Sequence, residues 1–426
     1  MDKIDNNFYV IGSGISGLSI SKMLFDGGYK VLTFEKESKI GGLVKCDSIN
    51  GNLFHRVGGH VFNSKNQLVL DWFWRHFDKS KEFLAAKRNA KILLANNLIG
   101  YPIENFLFQL DTNTSESIIE ELLVLNNAEG NKSSSNFEEF LLNHFGETLY
   151  ETYFKPYNAK IWNFDLKKIP LEWLEGKLPM PNIGQIFKNN IIRNEEKDMV
   201  HSTFWYPRKG GSQFIANRIA EKLNIRINAS LNKMDLHNRS ITINNEEFQF
   251  GKLIYTGDIR KLSNIIGNQD PKLFSLLRQA GSLVSNGTSN VLCECDKSDL
   301  SWLYLPEKNI KAHRIIYTGN FSPDNNSSND RITCTVEFSG KISQNDMIFE
   351  LSKLPGNLVP ISFNFEPNSY VIQTENSRKL VTAIKTKLLK YNVFLLGRFA
   401  EWEYYNMDVC IEASMKLYKE LVGQYE

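Results

Sequence analysis

The tightest constraint on this chain is a turn near its start. Phe8-Tyr9-Val10-Ile11 is a short apolar run that feeds directly into Gly12-Ser13-Gly14-Ile15-Ser16-Gly17 and then into the helix-like stretch LSISKMLFDGG. A second apolar run, KVLTFE, closes on Glu35, 18 residues after Gly17. Strand, glycine turn, helix and acid-terminated strand together form the context in which glycines allow a tight turn, close approach of a pyrophosphate to a helix N-terminus, and close helix–strand packing. Gly12, Gly14, Ser16 and Gly17 are therefore expected to hold a dinucleotide, and Glu35 to accept a hydrogen bond from a ribose hydroxyl. A second glycine pair follows in KESKIGGLVK, where Lys36, Gly42 and Leu43 are expected to border the same ligand.

A chain of 426 residues exceeds one ordinary domain core and implies two or three lobes. Its 50 Lys and Arg nearly balance 48 Asp and Glu, which gives no argument for nucleic acid or an anionic membrane as partner. The N-terminal residues carry no charged segment before an apolar stretch, and no apolar run approaches the ~18–20 residues of a membrane helix. The expectation is a cytoplasmic protein without membrane insertion. The five cysteines are scattered and lack the paired spacing of a zinc site, so reduced structural thiols and no metal are expected.

From about residue 66 to 200 the pattern turns helical, with amphipathic segments such as QLVLDWFWRHF and NFEEFLLNHFGETLYETYF. Residues 223–256 return to short β runs, 285–375 read as a strand meander, and the tail reads as strand, glycine turn and final helix. The expected fold class is α/β: a Rossmann-like dinucleotide-binding domain with a helical insertion and an antiparallel β-sheet domain. The expected boundaries are 1–65, 201–270 and 385–426 for a discontinuous dinucleotide domain, 66–200 for a mainly helical domain, and 271–384 for a sheet domain that meets substrate.

FHRVGGHVFN (54–63) places Gly58, Gly59 and His60 in an otherwise bulky run, where adjacent glycines cost backbone entropy and add no packing. Together with FKPYNAKIW (154–162), WLYLPEKNIKAHRIIYTGNFSP (302–323) and GRFAEWEYYNMD (397–408), this block resembles the UDP-galactopyranose mutase family, with bacterial-type and eukaryotic-type features mixed. The resemblance implies FAD rather than a diffusible NAD, with Gly58, Gly59, His60, Gly397, Arg398, Asn406 and Met407 beside the flavin. It implies that His60 lies at the flavin edge, responding to redox state through its charge near neutral pH.

The resemblance also assigns a nucleotide-sugar site. Arg314 is implied to fork onto a diphosphate, with Tyr304, Tyr370 and Tyr404 as phenol donors. By pattern alone, Arg314 reads first as a strand-surface arginine in a salt bridge. Tyr153, Tyr157, Asn158 and Trp162 are implied to wall the pocket, although their spacing is also that of a plain amphipathic core. Three positions depart from the eukaryotic type: Lys177 stands for a second diphosphate-binding arginine, Glu104 for a glutamine and Ser202 for an asparagine. The implied reaction interconverts pyranose and furanose forms of UDP-galactose or a related sugar nucleotide, by attack of reduced flavin N5 on the anomeric carbon, with NAD(P)H or another reductant as electron donor. Arg314, Lys177 and His60 are the residues expected to support that chemistry. An oxidase of the amine-oxidase superfamily and a non-catalytic sugar-nucleotide binder remain alternatives, and self-association is left open.

Overall fold

The computed structural model describes residues 7–127, 134–171, 182–193, 203–328 and 330–423. Five parallel strands form the first sheet, in the order Val393–Leu395, Lys252–Tyr255, Asn7–Ile11, Lys30–Phe34 and Ile225–Arg226. The sheet thus gathers strands from the start, middle and end of the chain. Phe8, Val10, Phe34, Leu253 and Ile254 are all buried, as expected of parallel strands covered on both faces. Two helices, Ile15–Asp26 and Met407–Val422, pack on one another, with Ser414 Oγ donating to the Ser16 carbonyl at 3.2 Å. Buried Ser16, Ser19 and Ser414 let the two backbones approach.

The second sheet has seven strands, in the order Val359–Val371, Ser285–Cys295, Ile332–Ser339, Ala312–Ile316, Trp302–Tyr304, Ala90–Leu94 and Asn97–Gly100. All its ladders are antiparallel except the one joining Trp302–Tyr304 to Ala90–Leu94. The stretch 66–200, expected to be mainly helical, therefore supplies two strands to this sheet. Leu94 and Asn97 close a two-residue turn at Ala95 and Asn96, both with positive φ, the turn type whose twist matches a hairpin. A third strand from the same stretch, Phe83–Lys87, pairs with Thr203–Pro207.

The helices of that region include Thr112–Asn127, Phe137–Phe145 and Lys155–Trp162. Asn136 caps the second by accepting from the Glu139 amide at 3.0 Å. A π turn at Tyr150–Phe154 runs into the third without a break and shifts the phase of its inward face. Phe140, Leu149, Tyr153 and Trp162 pack in one core with Ile92, Tyr304 and Tyr370 of the second sheet. Cys293 and Cys295 share one strand face with Cys334 opposite, all buried in a separate apolar core. No described helix is long and apolar enough to cross a membrane.

The glycine turn is held by packing as much as by conformation. Gly12 has φ +99°, and a Cβ at Gly17 would sit 2.0 Å from the Gly12 carbonyl oxygen. Gly17→Ala must push helix and strand apart, so thermal or urea unfolding should show a loss of about 1–3 kcal/mol. Unchanged stability would mean that the turn is free to move.

Candidate functional site

The dinucleotide half of the site is built at the first strand–helix turn. The Cβ position of Gly14 meets nothing nearer than Gly42 Cα at 3.9 Å, so the turn keeps clear backbone where a pyrophosphate would lie. Gly41 crosses Gly14 in an isolated parallel bridge and donates to the Ser13 carbonyl at 2.9 Å. This brings Gly42 and half-buried Leu43 onto the turn. Glu35 is buried at the end of its strand; one carboxylate oxygen accepts from Ser13 N (2.8 Å) and Oγ (2.6 Å), the other from Glu37 N (3.0 Å). These bonds aim the carboxylate and leave one lone pair, on the oxygen that accepts from Glu37, for a ribose hydroxyl. Lys36 is exposed beside Glu37. Gly397 has φ +93° and its Cβ position lies 2.6 Å from Ser16 Oγ, so the glycine turn and the C-terminal block are in contact.

Beyond that contact opens a cavity of about 590 Å³. Its wall includes Gly58, Gly59, His60, Arg398, Asn406 and Met407 from the proposed flavin-side segments. It also includes Glu104, Tyr153, Tyr157, Asn158 and Trp162 from the helical region, and Tyr304, Arg314, Tyr370 and Tyr404. Residues scattered over 350 positions of sequence thus face one space. Lys177 and Ser202 lie outside the described residues.

Arg314 is one of the cations of the cavity, with Arg88 and Arg398 also on its wall. It sits in one row of cross-strand neighbours: Tyr304 pairs with Arg314, Arg314 with Glu337, and Glu337 with Asn290. Arg314 Nε donates to Glu337 Oε2, and its terminal nitrogen reaches Tyr370 Oη at 3.2 Å. The other Glu337 oxygen accepts from the Gly58 amide at 2.8 Å. Burial works to raise the Glu337 pKa, but Arg314 and then His313 outweigh it and hold the carboxyl well below the usual carboxylate range. For Arg314 burial opposes the charge, and Glu337 outweighs burial, so the guanidinium stays charged. One face of its fork is thus spent on a fixed carboxylate, and a terminal nitrogen is left on the cavity wall.

Tyrosines form two tiers around this cation. Tyr370 and Tyr404 stack with centroids 5.7 Å apart and planes 6° from parallel, and Trp162 meets both rings edge-on. Tyr153 and Tyr157 stack at 5.5 Å, and Tyr157 meets Tyr304 edge-on at 5.4 Å. Asn158, on the cavity wall, donates its nitrogen to Phe154 O at 2.8 Å and accepts with its oxygen from Trp162 Nε1 at 3.3 Å, both on its own helix. Asn158 thereby orients the indole. Glu104 occupies a short 3₁₀ turn, Ile103–Asn105, whose carbonyl at Glu104 accepts from Asn190 at 2.8 Å.

The two adjacent glycines have different reasons. Gly58 has φ +63°, which gives its amide the approach to Glu337. Gly59 is demanded by the protein itself, since a Cβ there would lie 2.6 Å from Ile316 and 3.0 Å from Phe321. His60 Nε2 is buried without a hydrogen-bond partner. Burial first, then the nearby Arg398, lowers the His60 pKa to about 3. The expectation of a charge change near neutral pH is therefore corrected: His60 is neutral there.

Three residues of this site escaped the sequence reading. Glu337, in RITCTVEFS, carried one signal: a lone carboxylate flanked by apolar residues in a strand. Arg88 and Tyr101 carried none. Arg88 lies over the Tyr101 ring (4.7 Å) and the Trp302 ring (5.3 Å) and donates to Tyr304 Oη. Arg398 is tethered to the Tyr405 and Ser369 carbonyls and covers the Tyr404 ring at 4.6 Å.

Removing the carboxylate leaves Arg314 as an uncompensated buried cation, so Glu337→Gln should lose about 3–5 kcal/mol of unfolding free energy. Because the folded pKa of Glu337 is depressed, its contribution is present above the ordinary Glu value of about 4.3 and is lost as pH falls below it. Half-buried His60, with its Nε2 enclosed and its pKa lowered, acts in the same direction from higher pH, since the unfolded histidine gains its proton as pH falls below about 6.5. Chemical denaturation between pH 7 and 4 should therefore show falling stability, less steeply in His60→Asn. Identical profiles would contradict the neutral ring.

Comparison with known proteins places this geometry. A model of the NAD(P)-binding Rossmann-like domain matches residues 10–77. A UDP-galactopyranose mutase from Mycoplasma genitalium is 23% identical over 439 residues, covering 97% of this chain and 94% of that protein. The Mycoplasma pneumoniae UDP-galactopyranose mutase is 25% identical over 60% of this chain, which spans 63% of that relative. A dTDP-fucopyranose mutase from Escherichia coli is 28% identical over 181 residues, 41% of this chain and 46% of that protein. The solved structure of a reduced UDP-galactopyranose mutase superposes with a TM-score of 0.90 at 22% identity, covering 98% of this chain and 96% of that one. The chain is thus similar over nearly its whole length to UDP-galactopyranose mutases and shares the fold of a solved one.

Proposed function

We propose that this chain binds FAD and interconverts the pyranose and furanose forms of a nucleotide sugar. The observation that carries the reading is Arg314: a cation inside a cavity, held by a buried carboxylate and surrounded by the rings of Tyr157, Tyr304, Tyr370 and Tyr404. Such a set suits a diphosphate, which offers several oxygens to a guanidinium and to phenol donors. An oxidase acting on an apolar amine would have no use for it.

The residues present fit a flavin dinucleotide. Gly14 keeps open space at the helix N-terminus, Glu35 is set for a ribose, and the contact of Gly397 with Ser16 links that turn to the cavity. The helix Met407–Val422 opens at the cavity with no side chain capping it at Asn406, so its first amides are available to an electron-rich ring edge. Gly58, Gly59 and His60, on the wall of the same cavity, would also border the ring. When bound and reduced by NAD(P)H or another donor, the flavin supplies the N5 nucleophile for the anomeric carbon.

The chain's own part is to take the leaving group and keep water out. Arg314 and the tyrosines stabilise charge that grows on the diphosphate as the anomeric bond breaks. The stacked tiers of Tyr153–Tyr157 and Tyr370–Tyr404, with Trp162, wall the reacting centre with apolar surface. Neutral His60 places no fixed positive charge at the ring edge. The relatives' names support UDP-galactose and a dTDP-6-deoxyhexose as the first substrates to try.

Purified protein carrying FAD, reduced with dithionite, should convert one member of a UDP- and dTDP-hexopyranose panel to its furanose form, resolved by chromatography. Arg314→Ala should lower turnover by at least about 100-fold while flavin content stays at wild-type level, in line with removal of a key charge-stabilising donor. Full activity in Arg314→Ala, or equal turnover with oxidised flavin, would overturn the reading.

A further inference from the structure

We propose that Lys160 is a positioning residue that sets the width of the anion clamp, by fastening the helix Lys155–Trp162 to the hairpin that carries Tyr304 and Arg314; the proposal rests on the diphosphate reading of that cavity. The block FKPYNAKIW contributes Tyr157, Asn158 and Trp162 to the cavity wall, whereas Lys160 is not on that wall. Its ammonium instead donates to three main-chain carbonyls, Leu305 (2.5 Å), Glu307 (2.8 Å) and Ala312 (3.1 Å). An ammonium has three N–H donors, and all three are used.

The positions of those carbonyls give the bond set its consequence. Leu305 follows Tyr304 directly, and Ala312 precedes Arg314 by two residues. Tyr304 and Arg314 are cross-strand partners, so one ammonium grips both strands of the hairpin beside the residues that meet the anion. On the helix side, Tyr157 is one turn before Lys160, and its ring meets Tyr304 edge-on at 5.4 Å. The separation of helix and hairpin is therefore the separation of Tyr157 from Tyr304 and Arg314.

The neighbouring carboxylates are engaged elsewhere. Glu307 accepts from the Ala95 amide at 2.7 Å, and Glu350 accepts from the Lys311 amide at 2.7 Å and from Lys353 at 2.6 Å. A surface salt bridge would leave Lys160 free to swing with its partner side chain. Carbonyl acceptors belong to the backbone, so the fastening moves only if the hairpin moves. The cost of placing the ammonium there is visible in its pKa, lowered to about 8 chiefly by burial against the opposing pull of Glu307 and Glu350.

The test compares wild type, Lys160→Met, Lys160→Gln, Arg314→Ala and the Lys160→Met/Arg314→Ala double variant, all loaded with FAD, by calorimetric titration with UDP and by amide hydrogen exchange. Lys160→Met should weaken UDP about 10-fold and raise exchange at residues 305–317, with flavin content unchanged. Lys160→Gln keeps two N–H donors and should fall between the two, which also covers failure of the Met variant to fold. In the Arg314→Ala background, Lys160→Met should cause little further loss, because both changes act on one clamp. Wild-type UDP affinity and exchange in the Lys160 variants, or fully additive losses, would overturn the proposal. Equal UDP affinity of wild type and Arg314→Ala would sink the diphosphate reading instead, leaving the exchange data to decide the fastening.

Discussion

The site depends on one buried carboxylate. Glu337 holds Arg314 with one oxygen and the Gly58 amide with the other, so the cation proposed to face substrate and the loop expected to face the flavin share a single anchor. Each partner reaches it from a different part of the chain, and none could be buried alone at acceptable cost. The ion pair lies in a row of polar neighbours across a sheet whose other face is apolar core. A strand that alternates Cys334, Val336 and Phe338 toward that core must turn Thr335 and Glu337 the other way.

This anchoring explains why the cavity is assembled from so many segments. The parallel sheet ends in turns that suit a dinucleotide, while the mixed sheet presents Tyr304, Arg314 and Tyr370 toward the helical region. Aromatic stacking closes the remaining sides. The rings contribute surface and rigid geometry together, and their hydroxyls are the only part that must stay polar. Arg88, lying across Tyr101 and Trp302, extends the same arrangement to the strand that joins the mixed sheet in parallel.

Much of this was legible from short stretches, for local reasons. GSGISG after an apolar run and before a helix has few other uses, and Glu35 at the end of the next strand completes the pattern. Arg314 was readable only through the resemblance of its segment, since an isolated strand arginine has no local mark of burial. The strand 90–100 hairpin was missed because it lies inside a helical region and its turn, Ala95-Asn96, lacks the usual Asn-Gly signal. The resemblance placed His60 beside the flavin but not in its charge state, which depends on burial and on Arg398, 338 residues away.

By itself, the sequence determined the βαβ turn with its acid, the alternation that splits each strand of the mixed sheet into two faces, and a resemblance that matches the fold. These rest on interactions between near neighbours, which leave a pattern in residue order. The tertiary structure decided that Glu337 answers Arg314, that Gly59 yields to Ile316 while Gly58 yields to a backbone angle, and that Lys160 spends its charge on three carbonyls. Those choices are made between groups far apart in the chain, through burial and hydrogen-bond satisfaction, and such pairings exist only once the sheets and helices have met.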